Sequence, residues 1–389
     1  MKALQFERNL PRYAAARVAG AVVPGSGAAW GPLRLRDTDV PDLPTPDWVR
    51  VRPRLAGICG SDLATIDGRS SRYFEPIVSF PFVPGHEVVG ERDDGARVVL
   101  EAVLGCAARG IDPPCEACAV GDVGRCERVA FGDLEPGLQT GFCCDTGGGW
   151  STLLVAHPDQ LHAVADDLSD EAAVMVEPAA CAVRAALAAG VGGVQVVLGA
   201  GTLGLLTVAA LRRFGTPSTL IATARYPHQA RLAEELGADV VVAPDEAQRA
   251  VRRATGAMVI GDTLTRGADA VVDCVGGADT ITTGIAVARA GGRVVLCGMP
   301  GKVSLDLTAL WHKEVALVGA YAYGREAGAR RTFDLAFELV QDADLGRLVS
   351  ATYPLDRYQE ALEHAAAAGP RGAVKIAFDL RNERERESL

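Results

Sequence analysis

No run of the 389 residues is apolar for long enough to span a bilayer, which argues against a transmembrane helix. The opening residues, MKALQFERNLPR, have no apolar core of the kind a secretory signal needs. A cytoplasmic location is therefore expected, where thiols stay reduced. Basic residues are outnumbered, 39 Lys and Arg against 49 Asp and Glu, and a formal net charge of −10 disfavours nucleic acid or an anionic membrane as the main partner. Internal repeats and long low-complexity tracts are missing as well. What is present is an ordinary globular composition, 49% hydrophobic and 23% charged, with length enough for two domains. Ten cysteines in a reducing compartment point to metal or packing rather than to disulfides.

The first third is rich in Gly and Pro and has short β-like runs. TPDWVRVRPRL sets Val49 and Val51 against Arg50, Arg52 and Arg54, the alternation of a half-buried strand. From Val194 the character changes. VQVVL, STLIAT, ADVVVA, ADAVVDCV and RVVLCG are β-branched runs separated by helical segments such as HQARLAEELG, which implies a parallel sheet covered on both faces. Ser169 and the acids Asp170 and Glu171 suit the start of a connecting helix. After Tyr321 the helix RRTFDLAFELVQDA and a last strand in VKIAFDL are expected, and the tail RNERERESL reads as a solvated charge run. The expected domains are 1–190, completed by 321–389, and 191–320.

VQVVLGAGTLGLLTVAALRRFG places Gly199-x-Gly201-x-x-Gly204 between a strand and a helix. Gly199 would allow the tight turn and Gly201 the approach of a pyrophosphate. Gly204 would let helix pack on strand, with Thr202 and Leu203 completing the loop. An acid at the end of the next strand would hold the ribose 2′-hydroxyl of NAD. That place holds Ala224, followed by Arg225, with His228 nearby. A cation without a carboxylate favours a 2′-phosphate, so NADP is favoured over NAD.

Two groups have metal-ligand character. Cys59, in LAGICGSDL, joins His86 and Glu87 of VPGHEVVG and Glu177 of MVEPAACAV. Thiolate, imidazole and carboxylate make a zinc set that leaves one position exchangeable, as a catalytic zinc requires. The second group is Cys115-x2-Cys118-x7-Cys126, preceded by Cys106, and four thiolates would close a structural zinc site.

GICGSD, PGHE, the cysteine lobe, EP and GAGTLG follow one another in an order that resembles the zinc-dependent medium-chain alcohol dehydrogenases, nearest to their threonine and sorbitol dehydrogenase branch. The resemblance runs from about Val49 to Leu380. It implies an α/β protein: a GroES-like, β-rich catalytic domain and a doubly wound Rossmann domain. It implies that Cys59 and His86 are zinc ligands, with Glu87 and Glu177 both at that site and either able to bind directly. Ser61 is implied as the proton acceptor from the alcohol and Asp62 as the carboxylate orienting the histidine. The chain departs from the family pattern in places. Ala64 stands where many relatives have a proton-relaying histidine, so the relay would pass to Thr65, the ribose or water. The first lobe cysteine is replaced by Asp112, leaving Cys106 or Asp112 to complete the structural site, with Cys106 favoured. The family's NAD-selecting acid is missing, as noted above.

The expected activity is hydride transfer between NADP(H) and a secondary alcohol, polyol or amino alcohol, or the matching ketone, by a homodimer or homotetramer. An NAD-dependent polyol or threonine-type dehydrogenase, or a non-catalytic dinucleotide-binding protein, are the alternatives. Phe80, Phe82 and Trp311 are candidates for the substrate pocket.

Overall fold

The β-branched runs of the second half become one six-stranded sheet in the computed structural model, which describes residues 1–261, 263–325 and 330–382. Its first strand, Val194–Leu198, is flanked on one side by Thr219–Thr223 and then Val240–Val242. On the other side lie Ala268–Asp273, Ala288–Leu296 and Ala316–Gly319. All neighbours are parallel. Strands Val194–Leu198, Thr219–Thr223 and Ala268–Asp273 are buried almost throughout, as their continuous apolar runs suggest, whereas the edge strand Ala316–Gly319 is exposed throughout. The strand order reverses between Val194–Leu198 and Ala268–Asp273. In doubly wound sheets that switch point is where ligands bind. The protein is thus an α/β protein with a doubly wound Rossmann unit, here Pro178–Ala322.

The other unit is assembled from Met1–Glu177 and the chain from Tyr323 onward. Its sheet runs Val349–Tyr353, Lys375–Asp379, Val49–Gly57, Val88–Arg92, Arg97–Leu100 and Leu161–Ala163, with Leu154–Ala156 also paired to Val49–Gly57. The C-terminal strand lies antiparallel to Val49–Gly57, pairing Phe378 with Ala56. Trp150, Phe82, Phe378 and Leu4 belong to one of its apolar clusters.

Two expectations need correction, and one helix goes beyond them. Residues Leu10–Val22 form a helix. Asn9 accepts the N–H of Arg12 at 3.1 Å and Pro11 occupies the first turn, a start signal of the usual kind. Ser169 does cap a helix, accepting the N–H of Ala172 at 3.1 Å, but that helix is the single turn Asp170–Ala173 and the long one begins at Val176. Asp170 is engaged by Arg54 and Arg97, at 2.9 and 3.2 Å. Arg381, read as the start of a solvated tail, pairs with Asp379 and Glu171; residues 383–389 of that tail lie outside the described residues. Among the described residues no helix is long and apolar enough to cross a membrane.

Candidate functional site

Cys59 ends the turn after Val49–Gly57 and caps the short helix Gly60–Ile66. Asp62, three residues on, accepts the N–H of Cys59 through Oδ2 at 3.0 Å. Its Oδ1 faces Nδ1 of His86 at 3.5 Å, and both of these buried atoms have no other hydrogen-bond partner. One carboxylate therefore fixes the thiol-bearing turn and holds the imidazole by its Nδ1 edge, leaving Nε2 free to ligate.

His86 and Glu87 are displayed by a turn that only glycine permits. Gly85 has φ +99°, and a Cβ there would meet Trp150 Cδ1 at 2.5 Å. Gly57 is equally constrained, because a Cβ would lie 1.9 Å from Glu87 Oε2. Ligand atoms of Cys59, His86 and Glu87 lie within 4.8 Å of one another. Glu177 is outside that trio but buried beside it. Burial, with Glu87 and Asp62 adding to it, pushes its carboxyl up to about 7 against the pull of His86 and Lys375.

Lys375 is the residue that sequence reasoning missed. Fully buried on the C-terminal strand, it forms an ion pair with Glu87 and donates to Ile58 O at 3.1 Å. A lysine inside VKIAFDL, a strand buried almost throughout, was the available signal, since lysine is rarely buried unpaired. Four acidic groups (Cys59, Asp62, Glu87, Glu177) face one lysine here. That surplus of buried acidic donors, with the imidazole of His86 among them, fits a divalent cation held by thiol, imidazole and carboxylate.

The second cysteine group comes together as four. Sulfurs of Cys106, Cys115, Cys118 and Cys126 lie within 4.8 Å of one another, with Cys106 and Cys126 at 3.8 Å. Asp112 is exposed and lies outside this set. Against its burial, the N–H groups of Glu127 and Cys118 hold the Cys115 thiol down at about 7, while burial pushes Cys126 up to about 11. Such a cluster cannot carry four thiolates without a cation among them, which fits zinc. Arg109 organises the surrounding loops. Fully buried, it donates to the carbonyls of Leu104, Phe131, Leu134, Glu135 and Gly137.

In the other unit each glycine of the loop has its own geometry. Gly199 has φ +90°, and a Cβ at Gly204 would lie 1.7 Å from Gly199 O. A Cβ at Gly201 would meet nothing within 4 Å, so its face is open to a ligand, and Thr202 and Leu203 begin the helix Thr202–Ala210 behind it. Ala224 is buried just past Thr219–Thr223. Arg225 is exposed and, among the described residues, has no acidic partner, while His228 stacks on Tyr226 at 6.0 Å.

The aromatic candidates are placed differently from expectation. Phe82 is a core residue stacked on Phe6 at 5.1 Å, and Phe80 packs beside both. Trp311 is exposed on a short helix of the Rossmann unit. The ring next to His86 is Phe142, 6.0 Å away. Ser61 is half-buried on the Gly60–Ile66 helix. The hydroxyl of Thr65 lies 2.9 Å from Ser61 O and 2.8 Å from Ser70 Oγ.

Residues 45–166 match the alcohol dehydrogenase GroES-like domain, and residues 202–342 match the zinc-binding dehydrogenase domain. D-xylulose reductase A of Aspergillus oryzae is 30% identical over 305 residues, covering 75% of this chain and 80% of that one. Sorbitol dehydrogenase of Arabidopsis thaliana is 28% identical over 380 residues, 91% of this chain and 95% of the other. A crystal structure described as a zinc-binding dehydrogenase of Sinorhizobium meliloti 1021, bound to NADP, superposes with a TM-score of 0.69 at 25% identity, covering 89% of this chain and 96% of that one. The chain belongs to the zinc-dependent medium-chain alcohol dehydrogenases, on their sorbitol dehydrogenase branch, and is an oxidoreductase acting on CH–OH groups.

Proposed function

We propose that this enzyme transfers hydride between NADP(H) and a secondary alcohol carbon of a polyol, or the matching ketone. The observation that carries the reading is the convergence of Cys59, His86 and Glu87 at one point. The polyol class is supported by relatives named for xylulose and sorbitol. Zinc held by these three residues, with Glu177 beside them, supplies Lewis acidity to the alcohol or carbonyl oxygen when bound. Asp62 holds the imidazole of His86 by its Nδ1 edge and leaves Nε2 as the ligating nitrogen. Lys375 offsets the charge of Glu87, so that the trio does not repel itself apart. Ser61 Oγ accepts the alcohol proton. Thr65 and Ser70 form a hydroxyl pair close by, Thr65 Oγ1 donating to the backbone carbonyl of Ser61, and offer relay groups in place of a histidine at Ala64. Phe142 closes one side of the imidazole against water.

NADP is supported by Arg225, which is exposed, has no acidic partner among the described residues and follows a residue that carries no carboxylate. The test is a panel of polyols and ketoses run with both nicotinamides, alongside zinc analysis. Turnover with NADP and two zinc ions per chain are expected; a zinc-loaded protein inert across the panel would overturn the substrate reading. In Arg225→Ala, affinity for NADPH is expected to fall about tenfold or more while NADH affinity holds, since a charge-assisted phosphate contact is lost. An unchanged NADPH to NADH ratio would remove Arg225 from the selection.

A further inference from the structure

Outside both metal clusters, three cysteines lie together in the Rossmann unit, and the proposed reaction uses none of them. Strands Ala268–Asp273 and Ala288–Leu296 are neighbours in register, Val272 opposite Val295 and Asp273 opposite Leu296. One residue beyond each strand come Cys274 and Cys297. The register still holds there, because Asp273 O accepts the N–H groups of Cys297 and Gly298, each at 2.9 Å. Residues paired across parallel strands point to the same face, about 4.8 Å apart, and a disulfide joins Cα atoms roughly 4.4–6.8 Å apart. Both thiols are half-buried and free. Cys181 is the third: its carbonyl accepts from the Cys297 thiol at 3.9 Å.

Cys274 also lies against the glycine-rich loop. The Cβ that Gly204 lacks would be 3.7 Å from Cys274 Cβ, and the Cys274 thiol donates to Thr207 Oγ1 at 3.4 Å on the helix the loop opens. The next residue, Val275, is exposed and lies 2.4 Å from where a Cβ on Gly199 would be.

We propose that Cys274 and Cys297 form a reversible dithiol–disulfide pair beneath the glycine-rich loop, oxidised by peroxide and weakening dinucleotide binding when closed. Cys274 is the attacking sulfur. The Cys297 thiol donates to the Cys181 carbonyl, and its neighbour Cys274, with burial, holds it well above its ordinary pKa. A thiol held protonated is the poorer nucleophile, which leaves Cys297 as the resolving sulfur. The Cys274 thiolate attacks one peroxide oxygen. The S–O bond forms, the O–O bond breaks, and hydroxide leaves to be protonated to water. Cys297 then gives up its proton and displaces the second oxygen. The S–S bond forms, the S–O bond breaks, and a second water leaves, so two thiols and one peroxide become one disulfide and two waters. Closing the pair turns the Cys274 sulfur away from Thr207 and removes the hydrogen it donates there. The helix that opens at Gly201 loses that contact, and Val275 shifts against Gly199.

The pairing rests on strand register alone. Its effect on the dinucleotide rests on the cofactor reading of the loop, which binding by the reduced protein tests separately. Full-length, zinc-loaded protein is treated with hydrogen peroxide, digested after alkylation and mapped by mass spectrometry, and NADPH affinity is measured before and after. Expected are a linked Cys274–Cys297 peptide, its loss on reduction, and NADPH affinity lowered by about fivefold or more in the linked form. Cys274→Ser and Cys297→Ser should each abolish the link and the affinity change, and Cys181→Ser neither. Absence of the linked peptide, linkage to Cys181 instead, or an affinity loss that persists in Cys274→Ser would overturn the proposal. Linked protein that binds as tightly as reduced protein would overturn its regulatory half.

Discussion

Lys375 is where one residue decides most. It is the counter-charge that lets Glu87 stay buried, and it reaches that carboxylate from 288 positions downstream. Removing one partner of a buried ion pair costs about 3–5 kcal/mol, because the other charge is left uncompensated. Lys375→Met is therefore expected to destabilise the zinc-free protein by about that much in denaturant unfolding. The loss should be smaller in zinc-loaded protein, where a bound cation takes over the lysine's role, and the double variant with Glu87→Gln should recover most of it. Equal losses with and without zinc would separate Glu87 from the metal. The ligands Cys59, His86 and Glu87 could be named from sequence because their residue types are the chemistry. Lys375 could not, since a lysine in a C-terminal strand acquires meaning only when the fold brings it beside an acid. Cys106 lies between these cases, because its spacing departs from the usual pattern and only the chemistry of a thiolate favoured it over Asp112. Cys106 lies with three other sulfurs while Asp112 is exposed. Cys106→Ser is expected to lower zinc from two ions per chain to one, and Asp112→Asn to leave two, as counted by elemental analysis.

The glycine loop is the element that sequence reading describes best, because each of its constraints is local. Strand, turn and helix follow in order, and the three glycines differ in what a side chain would strike. This separates stability from binding. Gly204→Ala drives a methyl into the Gly199 carbonyl, 1.7 Å away, and is expected to cost about 1–3 kcal/mol or more of stability. Gly201→Ala meets nothing, and the backbone there, φ −75°, suits alanine. Its unfolding curve should stay within about 0.5 kcal/mol of the parent, while dinucleotide affinity falls about tenfold because the methyl stands where a pyrophosphate would approach. Undiminished affinity in a stable Gly201→Ala protein would show that no phosphate comes near it. The helix Leu10–Val22 was less legible. Its residues are mostly alanine and arginine, with only Ala16 and Gly20 buried, so no apolar periodicity announces it. Asn9 and Pro11 were the cues that remained.

At the scale of the whole chain, the two units are built on opposite plans. One is a continuous segment, Pro178–Ala322, with its own apolar cluster around Val196, Ile221, Val271 and Val294. The other is interrupted. Its sheet places Lys375–Asp379 between Val349–Tyr353 and Val49–Gly57, so the strand that leads to Cys59 gains its neighbour on that side only after the rest of the chain exists. A segment that carries its own core and contiguous parallel strands can fold alone. A fragment of residues 178–322 is therefore expected to unfold cooperatively on heating and to bind NADPH measurably in a fluorescence titration. A chain stopped before Val349 should fare differently. It leaves Glu87 buried without Lys375 and strips Val49–Gly57 of a paired edge, and unpaired edges invite aggregation. Such a chain is expected to be largely insoluble and to lose the zinc ion proposed at Cys59, His86 and Glu87. If it were instead soluble and retained both ions, the C-terminal strand would be an accessory to the metal site and not a wall of it.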